Sequence, residues 1–362
     1  MKKIGNLALG IIFVVNILFV GGLLFAAFSP YINPVSFPIL SCAGLTFPIF
    51  LTINCCFVLF WFILRWKYAM LSVLAMLICC VQIKTYIPIN FSSNKTPEGT
   101  IKLLSYNVMA FGDLKKTAGQ NDILTYIKNS NADVICLQEF IVASNRKYLT
   151  RENINKELKN YPYRDEVKLG EANTNGLAFY SKFPILSSRR INYESEHNGS
   201  IVYEIKVGND TIVVINNHLE SNKLSNEDKG IYKELITSPE TAQMKQGAMR
   251  LLKKLGEAAV IRSKQADAIA KEIANSPHKT VICCGDFNES PISYSHRVIS
   301  ENLTDAFVQS GTGLGISYNR GGFYFRIDNI LISKNLKSYS CTVDRSIKTS
   351  DHYPMWCYIS KN

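Results

Sequence analysis

The stretch Val281-Ile-Cys-Cys-Gly-Asp-Phe-Asn288 begins with four apolar residues, continues with a glycine, and ends with an aspartate and an asparagine two positions apart. A short apolar run bounded by such residues is typical of a strand buried on both faces of a sheet. Since side chains alternate along an extended chain, Asp286 and Asn288 are expected to point the same way. The stretch therefore predicts a strand that delivers a carboxylate and an amide to one edge of a sheet.

Five other short motifs place polar residues after apolar runs in the same manner, over residues 105–108, 137–139, 217–219, 326–329 and 350–352. Carboxylates, amides and imidazoles at one rim of a sheet are groups that hold a hard divalent cation and act on a phosphoryl group. From residue 101 the strand and helix patterns are mixed, which predicts an α/β domain over residues 101–362. Strands are predicted over residues 101–108, 133–138, 176–181, 201–207, 211–216, 280–285, 326–332 and 354–359.

The first 90 residues have a different composition. Their only charged residues are Lys2, Lys3, Arg65, Lys67 and Lys84. Three apolar stretches, at about residues 6–28, 39–64 and 68–87, reach or approach the roughly 20 residues that cross a bilayer. They predict a bundle of three transmembrane helices. A secretory signal peptide in the first stretch is the alternative, although residues 25–28 form a poor cleavage site.

The positions of the cations predict how this region is oriented. Lys2, Lys3 and the loop over residues 65–67 are expected in the cytoplasm by the positive-inside rule, with Lys84 as the exception. Three crossings then place the α/β domain outside the cytoplasmic membrane. We expect a multi-pass protein of a bacterial inner membrane with an extracytoplasmic catalytic domain, joined through a polar linker over residues 91–100 that contains Pro and Gly.

The charge of the chain is moderately basic. The 362 residues include 40 Lys and Arg and 29 Asp and Glu, a formal net charge of +11. Because five of the cations precede residue 90 and the first acidic residue is Glu98, the remainder has 35 cations and 29 anions. This excess suits an anionic substrate or an anionic lipid surface, and it is too mild to indicate nucleic-acid binding by itself.

Two further patterns leave alternatives open. A helical stripe follows His218, and its opposite face is basic, either as the solvated side of a core-facing helix or as a lid toward phosphate or membrane headgroups. The role of residues 222–262 is not fixed by the sequence. No CxxC pair is present, which disfavours a zinc site. Cys341 and Cys357 lie in two strand-like runs, either as a disulfide or as buried free thiols.

The order of the motifs resembles that of the endonuclease/exonuclease/phosphatase superfamily, which has the deoxyribonuclease I-like fold. The resemblance spans about residues 100–359. It implies a four-layer α/β sandwich, in which two mixed β-sheets are flanked by helices. It also implies metal-dependent phosphoester cleavage with Mg²⁺, or alternatively Mn²⁺.

The resemblance implies a set of site residues. The expected metal ligands are Asn107, Glu139 and Asp351. The expected catalytic residues are His218, Asp286, Asn288, Asp328 and His352. In the superfamily pattern the aspartate of the Gly-Asp-x-Asn turn orients or deprotonates the attacking water, and the asparagine contacts the phosphate. The first histidine stabilises the transition state, and the last histidine is held in one tautomer by the aspartate that corresponds to Asp328.

These observations predict a membrane-tethered, Mg²⁺-dependent phosphoesterase that hydrolyses phosphodiester bonds, either endonuclease-like or as a general phosphodiesterase. The alternative is a lipid phosphoesterase, sphingomyelinase-like or phosphoinositide-phosphatase-like. A catalytically silent membrane-bound binding module is disfavoured because the acidic set is complete. The expected partners are a phosphodiester substrate, which is nucleic acid or a phospholipid headgroup, and the lipid bilayer. No protein partner is predicted.

Overall fold

The structure is a computed structural model that describes residues 2–91, 96–113, 121–143, 149–170, 175–225, 227–228, 230–231, 242–320 and 322–361. Part of the predicted linker, residues 92–95, lies outside the described residues. The N-terminal helices are α1 (Lys2–Phe28), α2 (Pro38–Ser41), α3 (Phe47–Leu64), α4 (Trp66–Ile78) and α5 (Cys80–Tyr86). Short 3-10 helices over Ser29–Tyr31 and Cys42–Thr46 connect α1, α2 and α3.

Two stretches are long and apolar enough to cross a membrane, Asn6–Tyr31 and Pro38–Leu64. The third predicted stretch, residues 68–87, is not one continuous helix. It is divided into α4 and α5, which are bent by 67° and would form a third span only as a bent pair. Cys79 leaves the helical range at ψ 13° and is fully buried among the N-terminal helices. The bend therefore follows from tertiary packing, which the hydropathy of the stretch does not reveal.

A buried polar network joins α1, α3 and α4. Asn16 donates to Ser72 Oγ at 2.8 Å and accepts from Trp61 Nε1 at 3.0 Å, while Ser72 donates to Asn54 Oδ1 at 3.0 Å. All four side chains are fully buried. Hydrogen bonds between helices satisfy polar groups that an apolar environment would otherwise penalise. The three helices therefore pack as a unit with a defined register.

The remainder is built from two six-stranded mixed sheets. The strands are β1 (Ile101–Asn107), β2 (Val134–Gln138), β3 (Tyr163–Leu169), β4 (Asn175–Ser181), β5 (Ile185–Arg190), β6 (Gly199–Val207), β7 (Asp210–His218), β8 (Val281–Asp286), β9 (Leu303–Asp305), β10 (Tyr318–Arg320), β11 (Phe323–Phe325), β12 (Asp328–Ser333), β13 (Leu336–Val343) and β14 (Met355–Lys361). The first sheet has the order β13-β14-β1-β2-β4-β3 and the second β5-β6-β7-β8-β12-β9, while β10 and β11 form a separate hairpin.

Helices cover the outer face of each sheet. The covering helices are α7 (Asp122–Ser130), α8 (Arg151–Glu157), α9 (Ala242–Ala274) and α10 (Tyr294–Ser300). The short helical turn α6 (Met109–Asp113) follows β1, and α11 (Ala306–Ser310) places Ala306 and Phe307 in the core between the sheets. The inner faces share one apolar core, in which the Phe179 ring of the first sheet stacks on the Tyr203 ring of the second at 4.1 Å. Separate apolar clusters attach α7 and α8 to the first sheet and α9 and α10 to the second. The predicted four-layer sandwich is confirmed.

Edge strands are where the sequence was least informative. β3 and β5 have no predicted counterpart, and five of the six residues of β5 are exposed. Edge strands bury little surface and are often polar, so they lack the apolar run that identifies a central strand.

Cys341 and Cys357 are buried free thiols in the structure.

The long helix after His218 is core-facing. Its stripe of Leu251, Ala258, Ala266 and Ile269 is buried. Arg250 and Lys254 on the other side bind the fully buried carboxylate of Asp228. Part of the basic face is therefore neutralised by the chain itself, which favours the core-facing interpretation over the lid.

Candidate active site

The sheet registers bring the motifs to one edge of the sandwich. β7 and β8 are parallel, with His218 beside Asp286, and β12 is antiparallel to β8, with Asp328 beside the same Asp286. In the other sheet, β1 and β2 are parallel and end together at Asn107 and Gln138. Parallel strands end at the same edge of a sheet. The central strands of both sheets therefore deliver their terminal side chains to one place.

The side chain of Asn107 joins the two sheets. Its Nδ2 donates to Glu139 Oε1 at 3.2 Å and to Asp286 Oδ2 at 3.1 Å. Its Oδ1 accepts from the Met109 backbone N–H at 3.1 Å, which fixes the orientation of the amide. Asn107 is fully buried and Asp286 is 1% exposed. One amide thus holds a carboxylate from each sheet in a water-poor cleft.

The backbone is unusual at three positions of the site. Glu139 has φ 50° and Asn288 φ 53°, in the left-handed region that non-glycine residues rarely occupy and that is enriched at functional sites. Gly285 has φ 131°, and a Cβ there would lie 2.0 Å from the Asn217 carbonyl oxygen. The sharp turn after β8 therefore requires glycine at 285.

The turn also corrects the expected direction of Asn288. The chain is not extended at Asn288, so the alternation of side chains that predicts a common direction for Asp286 and Asn288 does not apply there. The Asn288 N–H donates to Asp286 Oδ1 at 2.9 Å, and Nδ2 donates to the Leu219 carbonyl at 3.0 Å. In this structure Asn288 holds the turn to the end of β7, and its contact with phosphate stays a prediction.

Two imidazoles converge on Asp286. His352 Nδ1 lies 2.8 Å from Asp328 Oδ2, and His352 Nε2 lies 3.6 Å from Asp286 Oδ2. His218 Nε2 lies 3.7 Å from Asp286 Oδ2 and 3.9 Å from Glu139 Oε1. Both histidines are at most 4% exposed. The predicted residues Asn107, Glu139, His218, Asp286, Asp328 and His352 therefore form one contiguous cluster.

Burial and charge give these groups different proton affinities. Burial lowers the pKa of His218 and outweighs the carboxylates around it. Burial also opposes the charged form of His352, but the carboxylates of Asp328 and Asp286 outweigh it and raise the pKa of His352 to about 10. Burial raises the pKa of Asp286 against the opposing effect of the two histidines. Near neutral pH the site thus pairs a cationic His352 with a neutral His218.

Asn175 is a site residue that the sequence analysis missed. Its Oδ1 accepts from the Gly176 N–H at 2.7 Å, which turns Nδ2 toward His218 Nδ1 at 3.4 Å. An amide N–H facing Nδ1 makes that nitrogen the acceptor and leaves the imidazole proton on Nε2, toward Asp286 and Glu139. An asparagine at the start of a strand carries no motif that would have identified it.

Two residues that the sequence analysis gave no role surround His352: Ser350, which lies within the motif over residues 350–352, and Tyr318. The Ser350 hydroxyl donates to the Asn107 carbonyl at 2.8 Å and accepts from the His352 N–H at 3.1 Å. The Tyr318 ring meets the His352 imidazole edge-on at 5.1 Å. Tyr318 belongs to the β10–β11 hairpin, whose three-residue strands are too short for a recognisable sequence pattern.

The Asp351 carboxylate pairs with Arg320. Its Oδ2 is 3.2 Å from Arg320 Nη1, and Arg320 is half exposed on the hairpin. The carboxylate therefore faces a cation at the rim of the cleft. Its predicted role as a metal ligand stays a prediction.

The donor atoms suit a hard divalent cation. Among the described residues, ligand atoms of Asp286, Asp328 and His352 lie within 4.8 Å of one another. Asp328 Oδ1 is buried without a hydrogen-bond partner, and the Glu139 side chain is 35% exposed toward the cleft. Carboxylate and amide oxygens are what Mg²⁺ and Mn²⁺ prefer. The residues present fit a divalent metal.

Comparison with known protein families gives two matches. The model of the Endonuclease/Exonuclease/phosphatase family matches residues 104–352. A domain family described only as being of unknown function matches residues 9–86. No curated protein matches the sequence of the chain.

Three solved structures illustrate the fold. D. rerio TDP2 complexed with single strand DNA product is 16% identical with a TM-score of 0.53, covering 73% of this chain and 100% of that one. The human Nocturnin catalytic domain with bound sulfate is 18% identical with a TM-score of 0.52, covering 73% and 95%. An endonuclease/exonuclease/phosphatase from Beutenbergia cavernae is 14% identical with a TM-score of 0.50, covering 73% and 72%. At such identities the likeness shows the fold alone.

Proposed function

Because the chain belongs to the endonuclease/exonuclease/phosphatase family, a family of metal-dependent phosphoric ester hydrolases, we propose that it is a membrane-anchored, Mg²⁺-dependent phosphodiesterase. The observation that carries the proposal is the Asn107 amide, which joins Glu139 of one sheet to Asp286 of the other. Two histidines approach the same Asp286 oxygen at 3.6 and 3.7 Å. This arrangement combines an oxygen-ligand site, a base and two proton donors.

Each side chain has a role that its surroundings support. Asp286, with its raised pKa, orients the attacking water and accepts its proton. His352, kept cationic by Asp328, donates a hydrogen bond to a phosphoryl oxygen from Nε2, and His218 donates from its own Nε2. Glu139 would hold the cation, and Asp351 would contribute from the rim. Asn107 orients Glu139 through Nδ2, and its own ligation of the cation through Oδ1 stays a prediction. When bound, a divalent cation neutralises charge on the phosphoryl oxygens.

The first test is plasmid nicking by the full-length protein in detergent with Mg²⁺, compared with Asp286→Ala. We expect nicking by the wild type only. A folded wild-type protein that leaves the plasmid intact contradicts the nuclease-like form of the proposal. A small phosphodiester assayed in parallel separates a general phosphodiesterase from a nuclease. TDP2, one structural neighbour, was crystallised with a single strand DNA product, which supports nucleic acid as the first substrate to try.

A lipid phosphoesterase is the second candidate, and one observation favours it. The segment after β8 contacts the N-terminal helices through Ile292, and the segment before β12 contacts them through Arg326. Such contacts keep the cleft near the surface that these helices would cross. Release of phosphorylated headgroup from phospholipid vesicles, with no plasmid nicking, would favour this candidate.

The proposed topology places the catalytic domain outside a bacterial inner membrane. Residues of the α1–α3 connection and of the end of α5 contact the domain, as in the bond from Arg326 to Thr85. At the opposite end Arg65 donates to Asn6 Oδ1 at 2.7 Å. One end of the helices thus contacts the catalytic domain and the other end carries Arg65. This arrangement supports three crossings with a cytoplasmic N-terminus. Labelling of single cysteines placed near residues 65 and 98 with an impermeant thiol reagent tests it: only the second is expected to react in intact cells.

A further inference from the structure

The segment that follows the catalytic turn is anchored in the N-terminal helices. Ile292 lies six residues after Asp286 and is 3% exposed. It belongs to the apolar cluster formed by α1, α3 and α4, together with Leu23, Ala26 and Phe47. The loop that follows the active-site turn thus inserts the Ile292 side chain into an apolar core formed by the N-terminal helices.

The fit at this anchor is tight. A Cβ on Gly44, in the connection between α2 and α3, would lie 1.9 Å from the Ile292 carbonyl oxygen and 3.0 Å from its carbon. Both atoms are backbone, so no side-chain rotation could relieve the clash. Gly44 therefore allows the membrane region to approach the backbone of the catalytic loop directly.

A second contact reaches the other catalytic strand. Arg326, two residues before Asp328, donates to the Thr85 carbonyl of α5 at 2.6 Å. The same guanidinium binds Asp305 at 3.0 Å and lies over the Phe307 ring at 4.8 Å. Arg326 is 3% exposed. A chain rises at most about 3.5 Å per residue, so Asp328 lies within roughly 7 Å of the Arg326 backbone.

Other bonds cross the same interface. Arg297 Nε donates to the Pro30 carbonyl at 2.9 Å. Asn90 Nδ2 donates to the Gly311 carbonyl at 2.6 Å, and the Gly313 N–H donates to the Pro88 carbonyl at 2.9 Å. A flexible tether would make no such set of specific, partly buried bonds. The two parts of the chain are docked against each other.

We propose that the N-terminal helices are a positioning element of the catalytic centre, acting on the Asp286 turn through Ile292 and on the Asp328–His352 pair through Arg326. None of these anchoring residues touches the reacting atoms. They fix the two segments that carry the catalytic side chains. The inference rests on the proposed function where it is tested by activity. Its test by hydrogen exchange depends only on the interface.

The test compares Gly44→Ala with Gly21→Ala in the full-length protein in detergent. A Cβ on Gly21 meets nothing within 4 Å, so the control makes the same chemical change without the clash. We expect Gly44→Ala to lower kcat on a small soluble phosphodiester by about tenfold to a hundredfold, because displacements near 1 Å can have effects of that size. KM should change by less than about twofold, since the groups displaced act on the reacting atoms.

A second pair removes the anchor without a clash. Ile292→Ala should lower kcat in the same direction, whereas Ile63→Ala, at a residue that is 81% exposed on α3, should not. Thermal unfolding is measured for all four variants. Loss of kcat with an unchanged unfolding midpoint supports positioning. If Gly44→Ala and Ile292→Ala behave like their controls, or lose activity only in step with the unfolding midpoint, the proposal is overturned.

Hydrogen exchange separates this inference from the proposed function. In Gly44→Ala, peptides covering residues 286–292 and 326–328 should exchange faster than in Gly21→Ala, while the rest of the domain is unchanged. If the wild type hydrolyses no phosphodiester, the proposed function fails and the exchange data still decide the inference. Equal exchange in both variants overturns it.

Discussion

Nδ1 of His352 lies 2.8 Å from Oδ2 of Asp328, although 24 residues separate them in the chain. The bond aims the other ring nitrogen at Asp286, 3.6 Å away. Both side chains are buried, so the pair is shielded from water. This geometry makes Asp328 the group that orients the His352 ring and, together with Asp286, stabilises its positive charge.

Replacing Asp328 by Asn tests that pair. The amide oxygen still accepts from Nδ1–H, but the negative charge that raises the pKa of His352 is lost. His352 is cationic below its pKa, so lowering that pKa moves the alkaline limb of activity to lower pH. We expect kcat to fall by roughly 10²–10⁴-fold, the usual contribution of a positioned proton donor.

The control is Asp267→Asn on α9, where the carboxylate accepts from the Tyr294 hydroxyl at 3.1 Å on the exposed surface. Its pH–rate profile should match that of the wild type. An unshifted profile in Asp328→Asn would contradict the role given to Asp328.

Glu139→Gln tests the metal site. Glu139 Oε1 lies beside Asn107 and His218 at the open side of the cluster, and losing one carboxylate charge weakens binding of a hard cation. We expect the Mg²⁺ concentration for half-maximal activity to rise at least about tenfold, a change of the size seen when metal-site partners are removed. The rise of the unfolding midpoint with added Mg²⁺ should shrink in parallel.

Glu157→Gln serves as the matched change, since Glu157 forms a surface ion pair with Lys128 at 2.7 Å. It should leave both titrations unaltered. Identical Mg²⁺ dependence in Glu139→Gln and the wild type would show that Glu139 is not a ligand.

Gly285→Ala is expected to disrupt the turn that carries Asp286. The residue has φ 131°, and its Cβ would lie 2.0 Å from the Asn217 carbonyl of the neighbouring parallel strand. Backbone strain of this kind costs about 1–3 kcal/mol before the clash is counted. We expect a lower unfolding midpoint together with loss of activity, measured in the same preparation.

Gly230→Ala is the comparison for this substitution, because a Cβ at residue 230 meets none of the described residues within 4 Å. It should unfold like the wild type. A stable and active Gly285→Ala variant would show that the turn tolerates a side chain.

Asp305 predicts an acid-sensitive fold. Burial opposes its ionisation, but Arg326 and His296 outweigh it and lower the pKa of Asp305 far below the ordinary value. A depressed pKa contributes stability that is present above the unfolded value of about 3.9 and is lost as the pH falls below it. Asp305→Asn should weaken this acid-dependent loss. It should also destabilise the protein at pH 7 by roughly 3–5 kcal/mol, because Arg326 is left buried without its carboxylate.

Unfolding midpoints measured from pH 7 down to about pH 1.5, across the window in which the loss is expected, check this prediction, with Asp210→Asn as the reference. Asp210 pairs with Lys361 at the surface, where an ion pair contributes little. If the unfolding midpoint of Asp305→Asn falls at low pH as much as that of the wild type, the acid sensitivity belongs to other carboxylates.

Local patterns were sufficient for the central strands. The apolar runs of β2, β7 and β8 lead to Glu139, His218 and Asp286, but these residues and Asn107 were given their roles only by the resemblance in motif order. Asn175 and Tyr318 lie outside the motifs, and Ser350 lies within one but was given no role, because their contacts with His218, His352 and Asn107 arise only in the fold. The edge strands β3 and β5 were also missed, since they bury too little surface to produce a pattern.

The sequence by itself determined which residues are apolar and at what period they recur, and therefore the membrane-like N-terminus, the α/β class and the motifs at the strand ends. Only the tertiary structure decided how the parts meet. The bend at Cys79, the left-handed backbone at Asn288 and the contact of Gly44 with Ile292 all depend on residues far away in the chain. Hydropathy and secondary-structure propensity depend on residues that are close in the sequence. Packing in a dense interior depends instead on the shapes of surfaces from residues that are far apart in the sequence.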